Sequence, residues 1–393
     1  MKQFIQLLNT EWKRIFSNNV LVMIFFGAPL LYGIITINMY KKGKVTKMEI
    51  VVIDEDNTAT SGKVIDALND NESITVAKVQ FSTGNIAKEI PSKEYVAVLS
   101  IPEGFEADIM QKRYPEIMVD INTANLVTAN FATRAIQTVL GTINAGIEIE
   151  ALKKAGTPAS IAPLRYEPFK VNYNRFYNPS GNYMNLMIPG ILGTVMQQVI
   201  FLALALVFAR DFEDGYFNEL VKTSRSSLYH ISLKMLPFVL LTAFMWLVTG
   251  LFYVIYDIDI PVFTPEVALL VTVFSFACIF LGMLFSVAIP SQLKATELLM
   301  VIATPSFLLS GYTWPLQSMP SWIRAIAESL PLTHFLAGFR KLSVYGGTLA
   351  DIYPQLKALS ITAIICFVLM VIILQWKIRK SSVKAQAIVK ATG

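Results

Sequence analysis

The sequence predicts an α-helical membrane protein with six transmembrane helices and an inserted extracytoplasmic α/β domain. Three observations carry this. Hydrophobic residues make up 54% of the 393 and charged residues 16%, whereas a soluble domain is nearer half apolar and a quarter charged. Six stretches are apolar over roughly the 20 residues that a helix needs to cross hydrocarbon, where only a helix satisfies its own backbone. Between the first and second of them the composition turns polar, and short β-rich runs alternate with helical ones, the pattern of a small α/β sheet domain.

Residues 1–19 come first and read as a cytoplasmic interfacial helix. Phe4, Leu8, Trp12, Ile15 and Phe16 recur at near-helical spacing, with Lys2, Glu11, Lys13 and Arg14 elsewhere, as in helices that lie in a headgroup layer. The spans follow at about 20–40, 184–209, 235–256, 267–289, 297–314 and 356–376, the last five forming a transmembrane domain over 184–376. The first is too long for a signal-peptide core, and no small-residue cleavage site follows it, so it reads as an uncleaved anchor. The fifth carries Pro305 and Gly311, which membrane helices tolerate. Residues 377–393 form a basic tail.

Lys and Arg in the connections set the orientation. With the N-terminus cytoplasmic, Lys13, Arg14, Arg210, Lys222, Arg225, Lys234, Lys294, Lys377 and Arg379 fall inside, and the loop "DIDIPVFTPE" outside has no basic residue. Both termini are then cytoplasmic in a multi-pass protein of the cell inner (plasma) membrane. Lys41, Lys42, Lys44 and Lys47 fall outside, but they open a long domain, which translocates largely regardless of charge.

In the 41–183 domain, "MEIVVID", "ITVAKVQF", "YVAVLSI" and "EIMVDI" read as strands. The segments "SGKVIDALN", "NIAKEIPSKE" and "GFEADIMQK", and a longer stretch from 125 to 154, read as helices. Two tempting motifs fail here. "TATSGKV" has Asn57 and Val64 where a phosphate loop needs Gly and Ser or Thr, and "IDEDN" lacks the alternating ligands and distant Glu of a calcium loop.

Several function classes are excluded. The +5 net charge is spread over separate segments, whereas nucleic-acid binding needs a clustered basic face. Cys278 and Cys366 both lie in apolar runs and cannot build a disulfide framework or a zinc site. His230 and His334 fall on opposite sides of the membrane, so no metal or catalytic residue set forms, and the chain reads as a non-enzyme. Ion-coupled transport would place ionisable residues at membrane depth. The spans have almost none, with Lys294, Glu297 and Glu266 at boundaries.

"VVIDEDNTATSGKVIDAL", "AVLSIPEGFEADI", "FYNPSGNYMNLMIPGIL" and "LLSGYTWPLQSMPSWIRAIAESLPLTHFLAGFR" together resemble, in order and spacing, the membrane subunit of type-2 ABC exporters of the bacterial drug or lipid efflux kind. The last of these includes Ser310, Gly311, Pro315, Met319, Pro320, Trp322, Pro331, Leu332 and Thr333, with short external helices expected over 315–345. The likeness covers nearly the whole chain. It implies a permease subunit moving a hydrophobic or amphipathic substrate out of the cytoplasm or inner leaflet. It further implies a second permease protomer, the same or a sibling, two copies of an ABC ATPase, and in some systems a periplasmic adaptor. The chain holds no cofactor of its own, and ATP and magnesium belong to the partner ATPase. A membrane-anchored sensor or assembly factor is the alternative, although a sensor rarely needs five closely spaced spans.

The resemblance also marks a coupling helix at 211–226 that meets the ATPase. Glu213, Asp214, Gly215, Glu219, Leu220 and Thr223 are its expected site residues, with Lys234 and Pro237 matching the stretch beyond. Tyr216, Asn218 and Ser224 depart from the family's usual Thr, Glu and Pro. The pattern of the residues agrees with a helix that buries one face: Phe212, Tyr216 and Leu220 recur every four residues and Phe217 with Val221 widens the stripe, while Glu213, Asp214, Lys222 and Arg225 lie off it. Gln197 and Gln198 in the second span and Thr304, Ser306 and Ser310 in the fifth are neutral polar residues in apolar surroundings. They read either as a substrate path, since the family lines its cavity with these spans, or as interhelical hydrogen bonds.

Overall fold

A computed structural model describes residues 2–82, 95–166 and 176–392, with the backbone alone over 383–392. The chain divides into two compact units, one of residues 1–41 and 182–393 and the other of residues 42–181.

The larger unit is helical. Among the described residues, five helices are long and apolar enough to cross a membrane: Asn19–Tyr40, Tyr183–Glu213, Ser227–Ile255, Pro265–Ala288 and Tyr353–Ser382. The fifth expected span, 297–314, does not join them. Its helix runs Gln292–Leu309, shifted toward the N-terminus so that Lys294 and Glu297 lie inside it and shorten its apolar part. Gly311 at φ +75° then turns the chain, as glycine does without steric cost.

The second span is the hub of this unit. In its apolar stretch 72% of residues are buried, against 50% or less in the other four. Small residues let its neighbours close on it, as they commonly do between membrane helices. A Cβ on Gly282 of the fourth span would lie 2.8 Å from Leu204 Cβ, and one on Gly193 would lie 2.8 Å from the Phe335 ring. Nearby, the buried Ser286 hydroxyl accepts from the Phe208 and Ala209 amides at 2.8 and 2.9 Å.

Past the fifth helix come a 3-10 turn at Leu316–Ser318 and helices Ser321–Ser329 and Pro331–Ser343. The last helix runs unbroken from Tyr353 to Thr392, so residues 377–392 continue it and are no separate tail.

The smaller unit holds a four-stranded sheet in the order β2-β1-β3-β4. Its strands are β1 Met48–Asp54, β2 Ile74–Gln80, β3 Ala97–Ile101 and β4 Met118–Ile121. β1 pairs in parallel with β2 and β3, and β4 is antiparallel to β3. The central β1 is buried at every residue except Glu49, as a parallel strand covered on both faces should be. Helices Ala59–Asn69, Phe105–Met110 and Leu126–Lys154 accompany the sheet. Val64, Leu68, Phe105, Ala132 and Ile136 join Ile50, Val52 and Leu99 in its core. The expected helix at "NIAKEIPSKE" lies outside the described residues.

Candidate coupling site

The segment after the second span folds differently from a single helix over 211–226. Asp211 to Glu213 belong to the second-span helix, which ends with Asp214 as its cap. Gly215 then adopts φ +74°, and a separate helix spans Tyr216–Thr223. The left-handed turn at Gly215 re-aims the chain, a conformation costing roughly 1–2 kcal/mol in residues with a Cβ.

This short helix is held by its apolar face. Phe217, Leu220 and Val221 are buried, and the Phe217 ring meets Phe212 edge-on at 4.7 Å. Four other elements grip it or the turn beside it. From the N-terminal helix Lys2–Phe16, the Arg14 guanidinium stacks 4.3 Å from the Tyr216 ring centroid. From the last helix, Lys377 Nζ lies 4.0 Å from the Phe212 ring and the Ser381 hydroxyl donates to Asn218 Oδ1 at 2.8 Å. The fifth helix begins without a side-chain cap of its own. Glu213 supplies one by accepting from the Gln292 amide at 2.9 Å and from the Gln292 side chain. The third span enters through Lys234.

Lys234 is 2% exposed inside the third-span helix, and its ammonium lies 2.5 Å from Asp211 Oδ2 and 2.8 Å from Glu11 Oε1. Arg14 Nη1 bonds Asp211 Oδ1 at 2.7 Å and lies 3.7 Å from Glu11. Asp214 completes the group, 3.7 Å from Arg14 and 3.4 Å from Arg210. The three cations and three anions balance, and for the buried members, Lys234, Glu11 and Asp211, the pairing offsets lost hydration. Burial disfavours the Arg14 charge, yet the Asp211 carboxylate more than offsets it and holds the Arg14 pKa above the ordinary arginine value. Burial, with Glu11 nearby, raises that of the Tyr216 phenol.

Sequence reading missed this cluster. It put Glu11 and Arg14 off the apolar stripe of an interfacial helix and counted Lys234 among the cytoplasmic cations. The structure buries Glu11 and Ile15 together and leaves Phe16 50% exposed. A charge at a position that should be apolar, Lys234 among Leu233, Pro237 and Phe238, was the available signal.

The expected coupling residues divide by role. Leu220 is anchored inside and Gly215 makes the turn, while Glu213 and Asp214 are tied to this chain's own partners. Glu219 and Lys222, paired at 3.5 Å, turn outward with side chains 69% and 76% exposed, and Thr223 is half-buried. Of the expected path residues, Gln197 Nε2 donates to Ser306 Oγ at 2.9 Å, joining the second and fifth helices. The Ser306 and Ser310 hydroxyls donate to the Ala303 and Phe307 carbonyls. Gln198 is half-buried and Thr304 exposed.

Known proteins share this arrangement of sequence. The family described as ABC-2 family transporter protein matches residues 20–372. The probable multidrug ABC transporter permease YbhS of Escherichia coli K12 is 24% identical over 338 residues, covering 82% of this chain and 80% of that protein. The linearmycin resistance permease protein LnrN of Bacillus subtilis is 22% identical over 382 residues, covering 90% and 94%. The inner membrane transport permease YhhJ of E. coli K12 is 21% identical over 348 residues, covering 82% and 85%. With most of its length matched to that family, the chain belongs to the ABC-2 family of transporter proteins.

Proposed function

We propose that the chain is the permease subunit of an ABC exporter, and that a separate ATPase drives it through the helix Tyr216–Thr223. The observation that carries this reading is mechanical: the short helix and the second-span end that leads into it are together gripped by the N-terminal, third-span, fifth and last helices, while Glu219 and Lys222 face outward. Packed elements shift as units, so a partner that moves the outward face moves four helices. The buried ion cluster resists shear because displacing Lys234 or Arg14 leaves a carboxylate unpaired.

In this reading the helix Gln292–Leu309 completes six spans, both termini are cytoplasmic, the sheet unit is extracytoplasmic, and two permease protomers dock two ATPase copies. Gln198 and Thr304, the more exposed of the polar span residues, face the path between protomers. The cargo is hydrophobic or amphipathic, in keeping with the multidrug and linearmycin resistance names of the relatives. The test is purification of the chain with candidate ABC ATPases. Stable co-elution, lost on Glu219→Lys with Lys222→Glu while the variant remains monodisperse, supports the reading. Co-elution indifferent to both the double substitution and deletion of 216–223 overturns it.

A further inference from the structure

The last span is the most peripheral of the five. Only 28% of its apolar part is buried, less than in any other. Its exposed face is ordered along the axis: Ile361, Ile365, Val368 and Ile372 recur at helical spacing, Trp376 follows, and Arg379 closes the stripe. Lys357, also exposed, stands at the opposite end of the same stripe. At 1.5 Å per residue the rise from Lys357 to Arg379 is about 33 Å. A bilayer's hydrocarbon core is roughly 30 Å thick, so the two cations reach opposite headgroup layers.

Two more cations stand beside Arg379. Lys380 Nζ lies 5.1 Å from the centroid of the Trp376 ring, which is exposed. The Gln375 side chain donates to the Arg225 carbonyl at 3.2 Å and accepts from the Ser227 amide at 3.1 Å, which ties the turn carrying the exposed Arg225 to this end of the helix. Arg14, Arg210, Lys222 and Lys234 all have carboxylate partners. Among the described residues, Arg225, Arg379 and Lys380 have none. The helix Tyr353–Thr392 carries no Asp or Glu along its whole length.

We propose that this end of the last span binds one anionic phospholipid, its phosphate held by Arg379, Lys380 and Arg225 and one acyl chain laid along Ile372, Val368 and Ile365. Each part of the stripe meets the part of a lipid that shares its chemistry. Basic side chains at a membrane surface attract anionic headgroups, and Trp favours the boundary between headgroup and hydrocarbon. The rise from Trp376 to Ile365 is about 16 Å, half the hydrocarbon thickness and so the depth of one acyl chain. A second copy of the chain fits this face poorly. An axis along the membrane normal would set the two last helices parallel and bring Lys357 and Arg379 against the same cations. With the termini cytoplasmic, as proposed above, the lipid belongs to the inner leaflet, and its binding does not depend on an ATPase.

The full-length protein is reconstituted into phosphatidylcholine bilayers containing increasing dibrominated phosphatidylglycerol, whose bromines quench tryptophan on contact. The Trp376 component is the difference between wild type and Trp376→Phe, and dibrominated phosphatidylcholine is the reference lipid. Quenching of that component should saturate at a more than tenfold lower mole fraction of phosphatidylglycerol than of phosphatidylcholine. Arg379→Gln should reduce this preference about fivefold, the equivalent of about 1 kcal/mol per basic side chain near an anionic surface. Arg379→Lys should keep most of it, and Lys357→Gln, at the other headgroup layer, should leave it unchanged. Both leaflets of these bilayers hold the same lipids, so the result is independent of which way the chain lies in the cell, and a failure here leaves the permease reading standing. Equal saturation by the two lipids, or a preference that survives Arg379→Gln with Lys380→Gln, overturns the proposal. So does a Trp376 component that neither lipid quenches, since protein then covers the face. Displacement of the lipid by dissolved glycerol phosphate would also overturn it, by making the headgroup alone the ligand.

Discussion

Replacing Lys234 by Met removes the one ammonium that faces both Glu11 and Asp211 while keeping the length of the side chain. Both carboxylates are buried, and after the substitution Arg14 alone faces them. Removing one partner of a buried ion pair typically costs 3–5 kcal/mol, because the remaining charge has lost its hydration without compensation. Arg14 still bonds Asp211 at 2.7 Å, so the loss should lie near the lower end, about 3 kcal/mol. Adding Glu11→Gln to Lys234→Met then restores neutrality, leaving Arg14 with Asp211 and Arg210 with Asp214. The pair should therefore recover about 1–3 kcal/mol relative to the sum of the single changes, within the range for residues in contact. Denaturant unfolding of the full-length protein, followed by tryptophan fluorescence with Trp12 beside Glu11, reads the cycle. A coupling below about 0.5 kcal/mol would refute the shared-ammonium geometry.

Three further outcomes follow from other parts of the structure. Gly215→Ala meets no atom within 4 Å but must adopt φ +74°; it should destabilise by about 1–2 kcal/mol, and Gly215→Asn by less, in the same unfolding assay. Gly282→Leu drives a side chain into Leu204 of the second span and should cost about 1–3 kcal/mol as overpacking, whereas Gly62→Leu, with open space beyond it, should not suffer this clash. In the sheet unit, the Thr60 amide and then the Thr58 and Thr60 hydroxyls hold the Glu106 carboxyl below the usual carboxylate range. Its contribution is thus present above the unfolded-state value, near pH 4.5, and is lost as pH falls toward the lower folded value. The hydrogen-exchange protection factor over residues 59–69, taken relative to the intrinsic exchange rate at each pH, should fall on acidification in wild type and change less in Glu106→Gln.

Much of this architecture was legible because local patterns specify local structure. Val and Ile content marked β1, the 125–154 stretch read as a helix and is one over Leu126–Lys154, and of the stripe read as Phe212, Tyr216 and Leu220 with Phe217 and Val221, Phe217, Leu220 and Val221 form the buried face of the short helix after the second span. The ion cluster was not legible, since Glu11 and Arg14 of the N-terminal helix meet Asp211 and Lys234 only through packing against elements some 200 residues later in sequence. The break at Gly215 was missed for a different reason: a glycine inside an amphipathic pattern is compatible with a helix as well as with a turn. The fifth helix shows the limit of hydropathy, because its start follows the Glu213 cap on Gln292 rather than the edge of the apolar run.

Lys222→Cys offers the most direct measurement, since that side chain is 76% exposed while the two native cysteines are buried. A membrane-impermeant maleimide should label it in inside-out vesicles and leave it unmodified in intact cells, with protection in the vesicles when the ATPase is bound. Labelling from outside intact cells would put the gripped helix on the wrong side of the membrane for any cytosolic motor and contradict the account.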